Sequence, residues 1–213
     1  MKSNGAGTQA LSIGDHRMAE NRSRVVLAGP ADIEPLINVM VLAFAADPVA
    51  RWMYRDPQRY LAYFGRFIRA FAGKAFSTGT AWCVEDNRGA ALWLAPGVKP
   101  TEDAIASILD ESVPLHVMGD VNAMFGEMAA YHPGSPHWYL PTIGTEPDLH
   151  GRGIGSALMR KALSRCDEEH MPAYLESSNP ANAPFYQGLG FEALGVIRAG
   201  DSPPMVPMLR PAR

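Results

Sequence analysis

Between His150 and Ser156 the chain reads HGRGIGS, with glycines at 151, 153 and 155 and an arginine at 152. Glycine lets the backbone turn sharply and lets a ligand approach where a Cβ would otherwise stand. From Ile154 the periodicity is helical. Leu158, Ala162 and Cys166 follow it at four-residue spacing and, with Ala157, make one apolar face, while Arg160, Lys161 and Arg165 fall elsewhere on the wheel. The first amides of a helix have no partner within it, and the helix dipole favours an anion there. A bare turn of this kind holds phosphate oxygens, and Arg152 adds a full positive charge beside it. Each glycine at a helix start costs ~1 kcal/mol relative to alanine, a cost that a plain connection has no need to bear. The dinucleotide fingerprint is spaced Gly-x-Gly-x-x-Gly, with an acid about 20 residues further on, and these glycines do not fit it. A P-loop lysine is absent as well. The chemistry indicated is the grip of a phosphorylated cofactor.

Further on, NPANAPFYQGLGF sets Tyr186 on a short helix, with Asn182 as expected N-cap, Pro184 in the first turn, and Gly188 and Gly190 ending it before a strand FEALGVI that starts at Phe191. A Phe-Tyr pair on a helix is more often core than catalytic. Given the right geometry, a phenol of reference pKa about 10 can protonate a departing thiolate of pKa about 8.5. Glu176, ending the strand-like AYLES, and Glu146, just beyond the preceding strand, are the acids best placed to take a proton, directly or through water. Each such acid is more often an ordinary surface or loop acid. His137 and His150 stand isolated and form no metal site. Ser177 and Ser178 lack the setting of a nucleophile elbow.

Strands must carry these groups. Trp138 to Thr145 precedes the glycine turn, and its Pro141 lacks a ladder donor, so a bulge is expected there, leaving groups of Ile143 to Thr145 free to pair with an extended, amide-bearing ligand. Upstream, Ser23 to Ala28 reads as a first strand, and Ile33, Leu36, Ile37, Met40, Val41 and Phe44 as a helix face ending near Asp47-Pro48. From Arg51 to Ser77, aromatics and arginines interleave with helical spacing from Tyr60 onward; a core-facing stripe is the preferred reading over a nucleic-acid surface. A hairpin spans Gly79 to Gly97 with its turn at Asp86-Asn87. Two helices between Thr101 and Ala130 are divided by Pro114 and by Gly119-Asp120. The tail SPPMVPMLRPAR ends on an expected edge strand.

With 213 residues, 47% of them hydrophobic, the chain can bury one α/β core. Residues 1–22 read as a flexible tail and 23–213 as a single domain. The net charge of -3 gives no reason to expect nucleic acid or an anionic membrane as partner. Cys83 and Cys166 are too few for a disulfide framework and read as buried thiols of a reducing compartment, and no apolar run has membrane-spanning length, so a cytoplasmic protein is expected.

Taken together, these residues resemble the GNAT superfamily of acetyl-CoA-dependent N-acetyltransferases. The family's pyrophosphate motif, [Gln/Arg]-x-x-Gly-x-[Gly/Ala], maps onto His150 to Gly155, with His150 in place of the usual Gln or Arg. Its later block maps onto Asn182, Phe185-Tyr186 and Gly190-Phe191. The likeness is specific over Trp138 to Phe191 and looser before it; ALWLAPG and PMVPMLR make the whole most similar to the puromycin N-acetyltransferase-like branch. The resemblance implies an α+β fold with a mixed, twisted sheet of six to seven strands flanked by helices and splayed between strands 4 and 5. It implies that Ile143, Gly144 and Thr145 hold pantetheine, that His150, Gly151, Arg152, Gly153, Ile154, Gly155 and Ser156 hold the pyrophosphate, and that Asn182 lies near the cofactor. Acetyl-CoA would be the co-substrate, with no metal. Tyr186 would be the general acid in direct transfer to a small-molecule primary amine, without a covalent enzyme intermediate, and Glu176, Glu146 or water the base. The aromatic segment Trp52 to Phe71 and the region Ala123 to Tyr131 would form the acceptor site. A CoA-binding sensor of the same fold and a protein lysine or N-terminal acetyltransferase are the alternatives, and a homodimer is left open.

Overall fold

A computed structural model describes residues 24–213; the expected N-terminal tail lies outside the described residues. One seven-stranded sheet organises them, in the order β1-β2-β3-β4-β5-β7-β6. Its strands are β1 (Val25–Leu27), β2 (Ala81–Val84), β3 (Gly89–Leu94), β4 (Trp138–Thr145), β5 (Ala173–Ser177), β6 (Glu192–Ala193) and β7 (Val206–Arg210). Every neighbouring pair is antiparallel except β4 and β5. The expected mixed sheet flanked by helices is the one found.

Helices cover both faces of the sheet. On one lie α1 (Ile33–Ala43), α2 (Pro48–Met53), α3 (Pro57–Ala72), α4 (Lys74–Ser77), α5 (Glu102–Ser112) and α6 (Leu115–Tyr131); on the other lie α7 (Ile154–Glu168) and α8 (Ala183–Gln187). Two Asp-Pro pairs start α2 and α3. Asp47 and Asp56 accept from first-turn amides while Pro48 and Pro57 sit where no N–H is needed. In α3 the buried Tyr60, Phe64, Phe67 and Ile68 form the core-facing stripe, and Tyr60 stacks on Phe64 at 4.8 Å between centroids. Along β4 the pleat alternates: Tyr139 enters the core beneath α3 and α6, and Trp138 and Leu140 enter the core beneath α7. Leu158 and Met159 of α7 are wholly buried there, each stabilising by about 2 kcal/mol.

Pairing between β4 and β5 runs Trp138↔Ala173, Tyr139↔Tyr174 and Leu140↔Leu175 and then stops, although β4 continues to Thr145 and β5 to Ser177. The splay begins at Pro141. Between Leu92 and Leu94 the β3 register with β4 also slips, from Thr142 to Tyr139, so the expected bulge lies at Leu140-Pro141. Glu146 N–H donates to Arg88 O. Ladder alternation therefore turns the peptide groups of Gly144 and Thr142 toward β3 and those of Ile143 and Thr145 into the gap.

Four local expectations need correction. Gly119-Asp120 does not divide a helix: α6 runs through it, because Val117, Val121, Met124 and Met128 bury one continuous stripe worth more than the ~1 kcal/mol a helical glycine costs. The terminal strand β7 is interior, not an edge. Pro207 is tolerated there because β6 pairs only with Leu209 and Met208, so the ladder beside Pro207 needs no donor from it. The strand expected after Phe191 is only two residues, followed by a single Ile197–Met205 bridge. Asn182 makes no side-chain cap; Asn179 caps the preceding turn, accepting from Ala181 N–H at 3.1 Å.

Candidate functional site

The parted strands open one cavity of about 730 Å³. Its walls include Ile143, Gly144 and Thr145 of β4, Leu175 to Ser177 of β5, the turn residues His150, Gly151, Gly153, Ile154, Gly155 and Ser156, and Asn182, Phe185 and Tyr186 beside α8. Met53, Phe64, Phe67, Ile68 and Phe71, with Met124, Phe125 and Met128 of α6, line the same cavity. Residues more than a hundred positions apart thus share one space. Of the expected pyrophosphate group, only Arg152 is outside the lining; its backbone N–H closes the turn onto Leu149 O at 3.3 Å. Trp52 and Tyr131 are likewise outside it.

The glycine turn fits an anion by its backbone. Gly151 and Gly153 have φ of +74° and +79°, where a side chain would be strained, and a Cβ at either would point into open space. The α7 amides of Ile154, Gly155 and Ser156 precede the first intrahelical bond, so no carbonyl of their own helix receives them. Gly144 has a different reason for lacking a side chain. A Cβ there would stand 2.6 Å from the Ala43 Cβ and 3.2 Å from the Met40 sulfur, so α1 can lie directly on β4.

Tyr186 is buried, in edge-on contact with Phe185 and Phe191, and its hydroxyl makes no hydrogen bond among the described residues. Burial, and then the nearby Asp47 carboxylate, push its pKa well above the ordinary phenol value, so it holds its proton. Glu176 is 4% exposed at its side chain; one oxygen accepts from the Tyr139 hydroxyl at 2.8 Å and the other has no hydrogen-bond partner. Glu146, the other acid singled out from sequence, is held by Arg88, at 2.6 Å from Nε, and does not line the cavity.

Sequence reasoning missed two groups. Asp47 lines the cavity as well as capping α2: its Oδ1 accepts from Val49 and Ala50 amides, and its Oδ2 from the Ser178 hydroxyl at 2.6 Å, pinning the α1–α2 loop to the end of β5. Burial raises its carboxyl pKa against those three donors. Its only local signal was Asp-Pro, which reads as a helix cap. The second group is His132, whose Nε2 lies 3.0 Å from Nε2 of His137 and whose Nδ1 lies 3.9 Å from the free oxygen of Glu176. His137, expected to stand alone, is therefore one of a pair. No cluster able to hold a metal ion occurs among the described residues.

A parted sheet, a turn of amides without helical partners and a buried phenol share one cavity, and comparison with known proteins places the chain among the acetyltransferases. The model of the acetyltransferase (GNAT) family matches residues 117–191. An uncharacterised N-acetyltransferase of Schizosaccharomyces pombe is 33% identical over 202 residues, spanning 84% of this chain and 79% of the relative. The chain belongs to the GNAT acetyltransferase family. Among solved structures, it is similar to one described as histone acetyltransferase HPA2 and related acetyltransferase from Corynebacterium glutamicum (28% identity, 89% of this chain and 96% of that one, TM-score 0.66). The fold is shared with arylalkylamine N-acetyltransferase 2 from Aedes aegypti at 11% identity, covering 89% and 99% of the two chains, with TM-score 0.62.

Proposed function

We propose that this acetyltransferase transfers the acetyl group of acetyl-CoA directly to a primary amine on a small molecule with an apolar body. One observation carries the reading: the cavity that holds the glycine turn is also walled by Phe64, Phe67, Phe71, Met124, Phe125 and Met128, an apolar lining of the kind that takes a hydrophobic ligand. Bound acetyl-CoA supplies a thioester whose carbonyl carbon an amine can attack. The amides at residues 153–156 hold the diphosphate, and Ile143 and Thr145 pair with the pantetheine amides as an added strand would. The Ile143 N–H steadies the carbonyl oxygen as it gains charge. Glu176 takes the proton of the amine, and Tyr186 gives its own to the leaving sulfur, so no covalent enzyme intermediate is needed.

The strand ALWLAPG and the tail PMVPMLR support a place near the puromycin N-acetyltransferase-like branch, and the low cysteine count supports a cytoplasmic setting. A peptide amine is the second reading, favoured by the name of the 28% identical relative. The test is thiol release from acetyl-CoA against a panel of aryl and alkyl amines together with a lysine-rich peptide. Turnover with the apolar amines is expected. Turnover with the peptide alone overturns the small-molecule reading, and tight acetyl-CoA binding with no turnover overturns the enzyme reading.

A further inference from the structure

Resting on the reading of Glu176 as base, the geometry points to a proton exit from the cavity: Glu176 passes the proton it takes from the amine to Nδ1 of His132, which delivers it to solvent, with His137 as the positioning residue that fixes the His132 tautomer.

Glu176 faces the cavity with one side and a cluster of aromatic rings with the other. Its Oε2 accepts from Tyr139 and its Oε1 has no partner. The Tyr174 hydroxyl, buried beside it, also completes no hydrogen bond. Both phenols are raised, by burial first and then by the Glu176 charge, so both keep their protons and neither can accept another. Tyr131 adds to the same field at Tyr174. Among these neighbours, only an imidazole has a lone pair for a proton.

The hydrogen bonds determine which nitrogen that is. His137 Nδ1 lies 2.7 Å from Ser135 O, a carbonyl that only accepts, so Nδ1 carries hydrogen. Burial lowers the His137 pKa and favours its neutral form, in which Nε2 is a lone pair. That lone pair must accept from Nε2–H of His132, 3.0 Å away. A neutral His132 therefore has its bare Nδ1 directed at Glu176 Oε1, at 3.9 Å. A shift of about 1 Å, an ordinary thermal displacement, closes that gap to a hydrogen bond. Rings of Tyr139 and Tyr174 stand edge-on to His132 at 4.9 and 5.0 Å and hold it there. The His132 side chain is 37% exposed, whereas that of Glu176 is 4% exposed, so the imidazole is the group of the two that meets water. Balance is simple. The amine N–H bond breaks as the Glu176 O–H bond forms, that O–H breaks as His132 Nδ1–H forms, and the Nδ1–H bond breaks in turn as water meeting the exposed ring takes that proton, leaving Nε2–H on its bond to His137.

Two variants test it side by side: His132→Ala, which vacates the imidazole site, and His132→Phe, which keeps the ring packing. Each is expected to lower kcat by about 10–100-fold, to leave KM for acetyl-CoA unchanged and to alter the pH profile of kcat, and only His132→Ala is expected to recover with added imidazole. A merely structural histidine would change the melting temperature without imidazole rescue. A readout free of turnover follows the imidazole signals by NMR in the wild type and in Glu176→Gln; the His137 titration curve, which the Glu176 charge raises, is expected to move to lower pH when the carboxylate is removed. A folded His132→Phe with wild-type kcat and pH profile overturns the relay, as do histidine curves indifferent to Glu176→Gln. A wild type that acetylates no amine overturns the proposed function instead, and the NMR arm still decides the coupling.

Discussion

Tyr186→Phe separates catalysis from packing more sharply than any other single change. The substitution removes one hydroxyl that makes no hydrogen bond among the described residues and leaves the ring between Phe185 and Phe191, at 5.1 and 6.1 Å between centroids. No cavity is created and no donor or acceptor is orphaned, so stability should change by less than about 0.5 kcal/mol. For a domain of this size that is a shift in Tm of no more than about 2 °C. Activity should respond quite differently. Loss of a general acid costs about 100-fold or more in kcat, and 100-fold is about 2.7 kcal/mol at the transition state. Because burial and the Asp47 charge raise the phenol, it stays protonated through neutral pH, and this group should impose no alkaline fall on the wild-type profile below about pH 10. Scanning calorimetry and thiol release on the same samples read both quantities. Full kcat in a folded Tyr186→Phe refutes the acid role.

Three other outcomes follow from the packing and the charges. Gly144→Ala would drive a Cβ to 2.6 Å from Ala43, itself too short a side chain to swing away; a loss of about 1–3 kcal/mol in urea unfolding and weaker acetyl-CoA binding by calorimetry are expected. Arg210, 4% exposed at its side chain, grips both oxygens of Asp167 at 2.7 and 2.9 Å and holds that carboxyl below its ordinary range. Its stabilisation is complete above the unfolded value of about 4 and disappears as pH falls through the lower folded value. Because Asp167 itself is 39% exposed and partly screened by water, Asp167→Asn should cost about 1 kcal/mol at pH 7 and flatten the acid limb of a stability titration. Burial raises Cys83 to about 11 and Cys166 to about 12, so neither thiol should react with a thiol reagent at pH 8 until denaturant is added.

What could be read from sequence was local. The glycine turn, the α7 stripe and the short helix carrying Tyr186 each declare themselves within a dozen residues, because backbone freedom and apolar periodicity are properties of consecutive positions. The bulge at Pro141 was legible for the same reason. Asp47 and His132 were not. The hydrogen bond from Ser178 to Asp47 spans 131 positions and that from Tyr139 to Glu176 spans 37; neither partner has a pattern around it that names the other. The interior position of β7 was hidden too, since the three prolines in PPMVPMLR point to an edge unless the two-residue length of β6 is known.

Pro141 links the legible half of the site to the hidden half. With no N–H to continue the ladder, it ends the pairing of β4 with β5 at Leu140↔Leu175, and the bulge it occupies shifts the register against β3. Beyond that point β4 keeps β3 on one side and presents the peptide groups of Ile143 and Thr145 to empty space on the other. On the opposite wall, Glu176 is the first β5 residue past the last pair, so it has the cavity on one side and the Tyr139, Tyr174 and His132 rings on the other. A regular strand here would have paired Glu176 with β4 and closed the cavity over it. The same missing donor therefore leaves the β4 edge unpaired and positions the acid that faces it.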